Sequence, residues 1–329
     1  MLIRTLMKHL LGVAILVAAT SDADAGCDDA CDAYAPSSCF ANQGCCQPNW
    51  TFAADALFLR RSDPDSEVLA FNTVDPSESL NADDFQFGTE TGLDLSITRH
   101  LKGGKSLELR YFGVDQWDAA VVGQTTRNDL LQINAAVAVF ADAGDAIAAR
   151  YTSELKNGEL NLSFCHSDSI DLLVGFRYLE LSERANASLI NASVPFDYYS
   201  VTDNRLYGAQ IGAKACLWND RLVSLNLVGK AGIYGNDASH DSLITSGTAT
   251  LTANGDGSPT SFIGEIGLRG GLCLTDTITL RGGYNLLWLD GVAVASDQLS
   301  SSDYFAGTGF DGSGDLFYHG ASVGLELRR

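Results

Sequence analysis

Between Leu206 and Asn236 two long runs alternate in polarity at every residue, and no other feature limits the fold of this chain so tightly. In the first run Tyr207, Ala209, Ile211, Ala213, Ala215 and Leu217 are apolar, while Gly208, Gln210, Gly212, Lys214 and Cys216 are small or polar. Trp218-Asn219-Asp220-Arg221 supplies a tight turn. Val223, Leu225, Leu227, Gly229, Ala231 and Ile233 then face Ser224, Asn226, Val228, Lys230 and Gly232. Alternation of period two is the mark of a strand, because successive side chains point to opposite faces. These arms are about twice an ordinary globular strand. They exceed the roughly 9–11 residues that a tilted strand needs to cross a bilayer.

The pattern recurs along the chain. Trp50–Leu59 sets Trp50, Phe52, Ala54, Ala56 and Phe58 on one face, and Phe87–Thr98 alternates without a break. Leu107–Trp117 follows the glycine turn Lys102-Gly103-Gly104-Lys105. Ala148–Phe164 carries Gly158 where the phase slips, which reads as a β-bulge. Further strands are expected from Ile170, at Phe262–Leu272, from Ile278 to Trp288, and at Leu316–Arg328. Short turns and long connections alternate strictly. Arg61–Asp84, Ala119–Ala146, Glu183–Asn204, Asn236–Ser258 and Asp290–Gly314 read as five acidic long loops at one end. The expected fold is an all-β, antiparallel up-and-down transmembrane barrel of about ten strands. Eight or twelve stay open, since Ala135–Phe140 reads equally as a loop strand or a short helix. An even count places both termini at the turn end, where the first and last strands can pair and remove the open edges.

Met1–Ala25 reads as a signal peptide: Arg4, Lys8 and His9 precede the apolar run Leu10–Ala19, and Ala23-Asp24-Ala25 is a cleavage site. A lipoprotein reading at Gly26-Cys27 is weaker, because Asp24 sits where a leucine-like residue is preferred. Residues 26–49 form a Cys-rich periplasmic segment and 50–329 the barrel. The net charge of −20 disfavours nucleic-acid binding, which needs clustered bases. Cys27, Cys31, Cys39, Cys45 and Cys46 crowd the tail and are disulfide candidates in an oxidising compartment. Cys165, Cys216 and Cys273 fall beside short turns. The tail spacings match no common zinc pattern, so no metal and no cofactor is expected.

Several stretches resemble the planctomycete-type outer-membrane barrels grouped as β-barrel porin family seven. They are Ala54–Arg61, Leu109–Val114, Tyr151–Leu155, Val174–Leu179, Leu206–Gln210, Gly229–Ile233 and, most closely, Gly283–Ala293 and His319–Glu326. The resemblance implies an outer-membrane barrel with a pore role. The chain departs from such barrels in ending Leu327-Arg328-Arg329 rather than on an aromatic residue read by the insertion machinery.

The inward faces carry Glu90, Asp94, Glu108, Arg110, Asp171, Arg177, Lys214, Lys230, Glu265, Arg269, Arg281 and Glu326. One reading is a hydrated lumen that passes ions or small polar solutes, its charges setting selectivity. The other is a narrow barrel that fills itself and acts through its acidic external loops. Trp117, Trp288, Tyr151, Tyr178 and Tyr207 at the loop ends, with Trp50 and Trp218 at the turn ends, read as aromatic girdles. His240-Asp241-Ser242 is the one local hydrolase-like grouping, but adjacent side chains on an extended chain diverge, so no catalytic residue is expected. Asp63-Pro64-Asp65 and Asp311–Asp315 miss the EF-hand spacing. The partners such a barrel implies are outer-membrane lipid and the barrel-assembly machinery, with self-association left open.

Overall fold

The computed structural model describes residues 48–66, 68–72, 79–124, 129–134, 137–167, 169–190, 194–220 and 222–329. The signal peptide and the tail cysteines Cys27, Cys31, Cys39, Cys45 and Cys46 lie outside them. Ten long strands, with the shorter Ala249–Gly257 paired beyond the barrel to the outer part of one of them, form one antiparallel sheet. They are β1 (Trp50–Arg61), β2 (Thr89–Leu101), β3 (Lys105–Gln124), β4 (Ala146–Ser167) and β5 (Ile170–Ile190), followed by β6 (Phe196–Asn219), β7 (Val223–Ser246), β8 (Thr260–Cys273), β9 (Ile278–Val292) and β10 (Gly314–Arg328). Each pairs with its neighbours in sequence, and β1 pairs with β10 from Thr51↔Arg328 to Arg61↔Tyr318. Trp50 and Arg329 exchange backbone hydrogen bonds of 2.8 and 2.9 Å at the end of that seam. The sheet is therefore a closed cylinder without a free edge, as the alternation predicted.

Closure depends on small residues at the seam. A Cβ on Gly320 would stand 1.9 Å from the Phe58 carbonyl oxygen, and one on Gly324 would stand 2.1 Å from that of Ala54. Gly103 and Gly104 take positive φ (73° and 67°) in the β2–β3 turn, a conformation closed to most side chains.

The strands run farther than the sequence suggested. β6 and β7 have 24 residues each, so Glu183–Asn204 and Asn236–Ser258 are largely strand rather than loop. At about 3.3 Å per residue, such a strand is more than twice as long as a bilayer crossing requires. The polarity pattern inverts partway along. Near the turns, β4 points Leu160 and Leu162 outward and Glu159 and Asn161 inward. Nearer the loops it points Arg150 and Glu154 outward and Tyr151 and Leu155 inward. Facing never changes, because Tyr111, Gly158 and Tyr178 pair in unbroken register. Thus Gly158 carries no bulge; the apparent slip records a change of surroundings, from an apolar exterior to an aqueous one. The real bulge lies on β3 between Val114 and Trp117.

The boundary is visible on the outer wall. Tyr111, Gly158, Tyr178 and Tyr207 are direct cross-strand neighbours, and two residues farther out Lys156, Glu180, Arg205 and Asp237 form a charged row. On the turn side of these rows lies an apolar belt including Phe52, Leu95, Ile211, Ile233, Ile266 and Leu325. Beyond it, Val68–Asn72, Ser79–Asn81, Asp129–Asn134 and Val137–Ala141 make a separate four-stranded sheet. The Ala135–Phe140 run is therefore a loop strand over its described residues.

Candidate functional site: a lumen closed by cross-barrel ion pairs

Every strand sends alternate side chains inward, and at mid-height six of these are charged. Arg110 on β3 donates to Asp94 on β2 (2.8–3.1 Å), to Glu159 on β4 (3.2 Å) and to Glu265 on β8 (2.6 Å). Because β3 and β8 are five strands apart in either direction round the ring, the Arg110–Glu265 bond spans the lumen along a diameter. Arg177 on β5 pairs with both Glu159 (3.1 Å) and Glu265. Lys230 on β7 reaches Glu159 at 2.7 Å. Gln210, Asn161 and Asn157 also donate to the two oxygens of Glu159. Three bases and three acids make the cluster neutral, and all six side chains are buried. Buried charges persist only when paired and hydrogen-bonded, as they are here.

Toward the loops the interior becomes apolar. Leu57, Leu155, Leu179 and Leu181 are buried there. The β3 bulge turns Trp117 inward, where its Nε1–H donates to Leu59 O (3.0 Å) and its ring lies against Tyr318. Trp117 and Tyr151 are fully buried, so they belong to the filling and not to an aromatic girdle. Trp288, Tyr207 and Trp218 do face outward. A second ion pair, Arg61 on β1 with Glu183 on β5 (2.7 Å), crosses this level and is joined by Tyr151 Oη (2.6 Å) and Ser153 Oγ (2.9 Å).

Residues 293–313, expected as an open loop, fold back over the mouth. Asn204 clasps Ala293 through both its side-chain atoms (2.7 and 2.8 Å), and Ala295 N–H donates to Glu183 Oε2 (3.2 Å). Gln298, in the short helix α1 (Gln298–Ser301), ties the segment to itself at Val294 and Asp311. Tyr304 Oη donates to Ser242 Oγ (3.0 Å), and the His240 ring lies 3.1 Å from Gly309 O through Nδ1. His240 is buried and its Nε2 lacks a partner among the described residues; burial lowers its pKa and raises that of Tyr304. His240 and Ser242 share the inward face while Asp241 is exposed on the other.

Of the sequence candidates, Asp94, Arg110, Arg177, Lys230 and Glu265 meet in the central cluster. Glu108 touches it through Asn161 (3.2 Å). Arg281 and Glu326 pair nearer the turns (3.7 Å), beside Asp55. Lys214 and Arg269 line the turn-end cavity, and Glu90 stands apart, half-buried near the loop side. The sequence reading missed Asp55, Arg61, Glu159 and Glu183. Glu159 was hidden by the inverted polarity of β4, and Arg61 and Glu183 by being assigned to loops. Cys165 and Cys216, beside the turns, are thiols.

No family model and no curated protein matches the chain. Among solved structures it is similar to the outer membrane protease OmpT from Escherichia coli at 11% identity and a TM-score of 0.49, over 85% of this chain and 97% of that one. It is also similar to the Pseudomonas putida toluene transporter TodX at 10% identity and a TM-score of 0.37, over 85% and 89%. A third likeness, Neisserial surface protein A, has 10% identity and a TM-score of 0.25 over 85% and 97%.

Proposed function

We propose that the chain is an outer-membrane barrel with a shut lumen, whose loop-end surface carries its role. The apolar belt bounded by aromatic and charged rows supports insertion, since such a surface is stable against lipid and costly against water. The Arg110–Glu265 bond carries the closed-lumen reading: two side chains from opposite walls in contact leave no water path between them. The porin-like passage suggested by the family resemblance would require these pairs to part. In this orientation both termini and the Cys-rich tail lie on the periplasmic side, an oxidising compartment in which the candidate cysteines can pair. The loop end then exposes Asp197, Asp237, Asp241, Asp256, Asp303 and Asp315, a surface that attracts cations and cationic partners.

Single-channel recording of the refolded chain in a planar bilayer tests this, with heat-modifiable gel mobility establishing that the barrel has folded. A folded and electrically silent barrel supports the proposal. Stable ohmic steps would overturn it and restore the porin reading.

A further inference from the structure

Below the central cluster the packing logic reverses. In the upper half, large side chains fill the lumen; near the turns, a cavity of about 240 Å³ opens between the walls. Its wall beside Arg269 is made of small residues, Gly270 and Gly271 on the same strand. The cavity is lined by six cations, Lys105, Lys214, Lys230, Arg269, Arg281 and Arg328, against the three carboxylates of Glu108, Asp171 and Glu326. Lys230 and Arg281 also pair with Glu159 and Asp55, which stand outside the lining, so the site keeps an excess of one positive charge in a protein whose net charge is −20.

The neutralising contacts are unevenly shared. Lys230 is engaged by Glu159, Arg281 by Asp55 (3.3 Å) and Glu326 (3.7 Å), and Arg328 by Glu326 (2.8 Å). The Arg269 side chain makes no hydrogen bond or ion pair among the described residues. It sits diagonally across from Arg281 on the neighbouring strand, because Arg281 pairs with Gly271, two residues beyond Arg269. Arg281 is held by Asp55 (3.3 Å), whereas Arg269 stands among the guanidiniums of Arg110 and Arg281 with no carboxylate in ion-pair contact among the described residues, a repulsion that a bound anion would relieve.

We propose that this turn-end vestibule binds a small solute bearing a phosphate or carboxylate group, with Arg269 as its principal contact and Lys214 and Arg281 beside it. On the closed-lumen reading, on which this rests for its blind end, the vestibule is a binding site and not the entrance of a pore. Guanidinium is suited to the task because its planar fork matches either oxyanion in a bidentate contact. The thiol of Cys216 and the ring of His100, which is held by Thr51 Oγ1 at 2.9 Å, lie at this same end.

The test is calorimetric titration of the folded barrel in detergent with inorganic phosphate and, separately, with succinate. Saturable binding at one site is expected for at least one of the two, weakened about tenfold or more in Arg269→Gln, as loss of a charge-assisted contact implies. Glu326→Gln removes a competing carboxylate and should bind more tightly, which keeps the proposal testable where Arg269→Gln fails to fold. Absence of saturable binding by the folded parent, or equal binding by Arg269→Gln, overturns it. Weakened affinity in Glu326→Gln does the same. A conducting barrel that still binds the anion would refute the closed lumen and leave the site standing; a silent barrel that binds neither anion would do the reverse.

Discussion

Replacing Arg110 with Met should destabilise the barrel more than any other single change within the central charge cluster. Arg110 contacts three buried carboxylates, Asp94, Glu159 and Glu265, within a cluster of three acids and three bases. Without it the cluster carries a net negative charge in a space from which water is excluded. Removing one partner of a buried pair costs about 3–5 kcal/mol, because the other charge is stranded. With three partners left short, the upper part of that range is expected. The assay is urea unfolding in lipid vesicles, followed by tryptophan fluorescence. Adding Glu265→Gln in the same background removes one stranded charge, so the double variant should recover about 1–3 kcal/mol relative to additive behaviour. Should Arg110→Met unfold within about 1 kcal/mol of the parent, or should the two changes simply add, the ion pairs would not be holding the lumen shut.

Trp117→Ala empties the largest fully buried side chain and should cost about 3–5 kcal/mol in the same assay, whereas Trp288→Ala on the outer wall should cost clearly less. Gly320→Ala forces a Cβ against the Phe58 carbonyl oxygen, so the β1–β10 seam should not close and the heat-modifiable folded band should be lost. His240 lies beyond the belt, and burial holds its imidazole below the ordinary value of about 6.5. The folded chain keeps it neutral while the unfolded chain takes up a proton. Stability should therefore fall as pH drops through about 6.5 and level off below the folded pKa. His240→Gln should flatten that part of the profile of unfolding midpoint against pH; an unchanged slope would remove His240 from the contact with the Gly309 segment.

Much of the site's membership was readable because facing is a local property. Asp94, Arg110, Arg177, Lys230 and Glu265 could each be placed inward from the parity of their neighbours alone. Parity misled where the exterior changed. On β5, Phe176 and Tyr178 face outward beside inward Arg177, but past Tyr178 it is Leu179 and Leu181 that point in and Glu180 that points out. Read as hydrophobicity, that inversion ends the strand; read as geometry, the strand continues to Ile190. Trp117 was misplaced for a different reason, since one extra residue on β3 reverses facing without leaving a mark in composition.

The sequence by itself determined that the chain is an up-and-down antiparallel barrel of about ten strands, which ends carry turns and which carry loops, and the facing of residues along the apolar belt. These follow from a period of two and from connection length, both of which act over a few residues. Only the tertiary structure decided whether the lumen is open. Arg110 and Glu265 are 155 residues apart and meet because closing the sheet into a ten-stranded ring sets β3 opposite β8. The same closure brings Glu183 to Arg61 and draws residues 293–313 over the mouth. Whether inward charges line a channel or bond across it depends on the ring's diameter and stagger, and those are properties of the closed sheet, not of any strand in it.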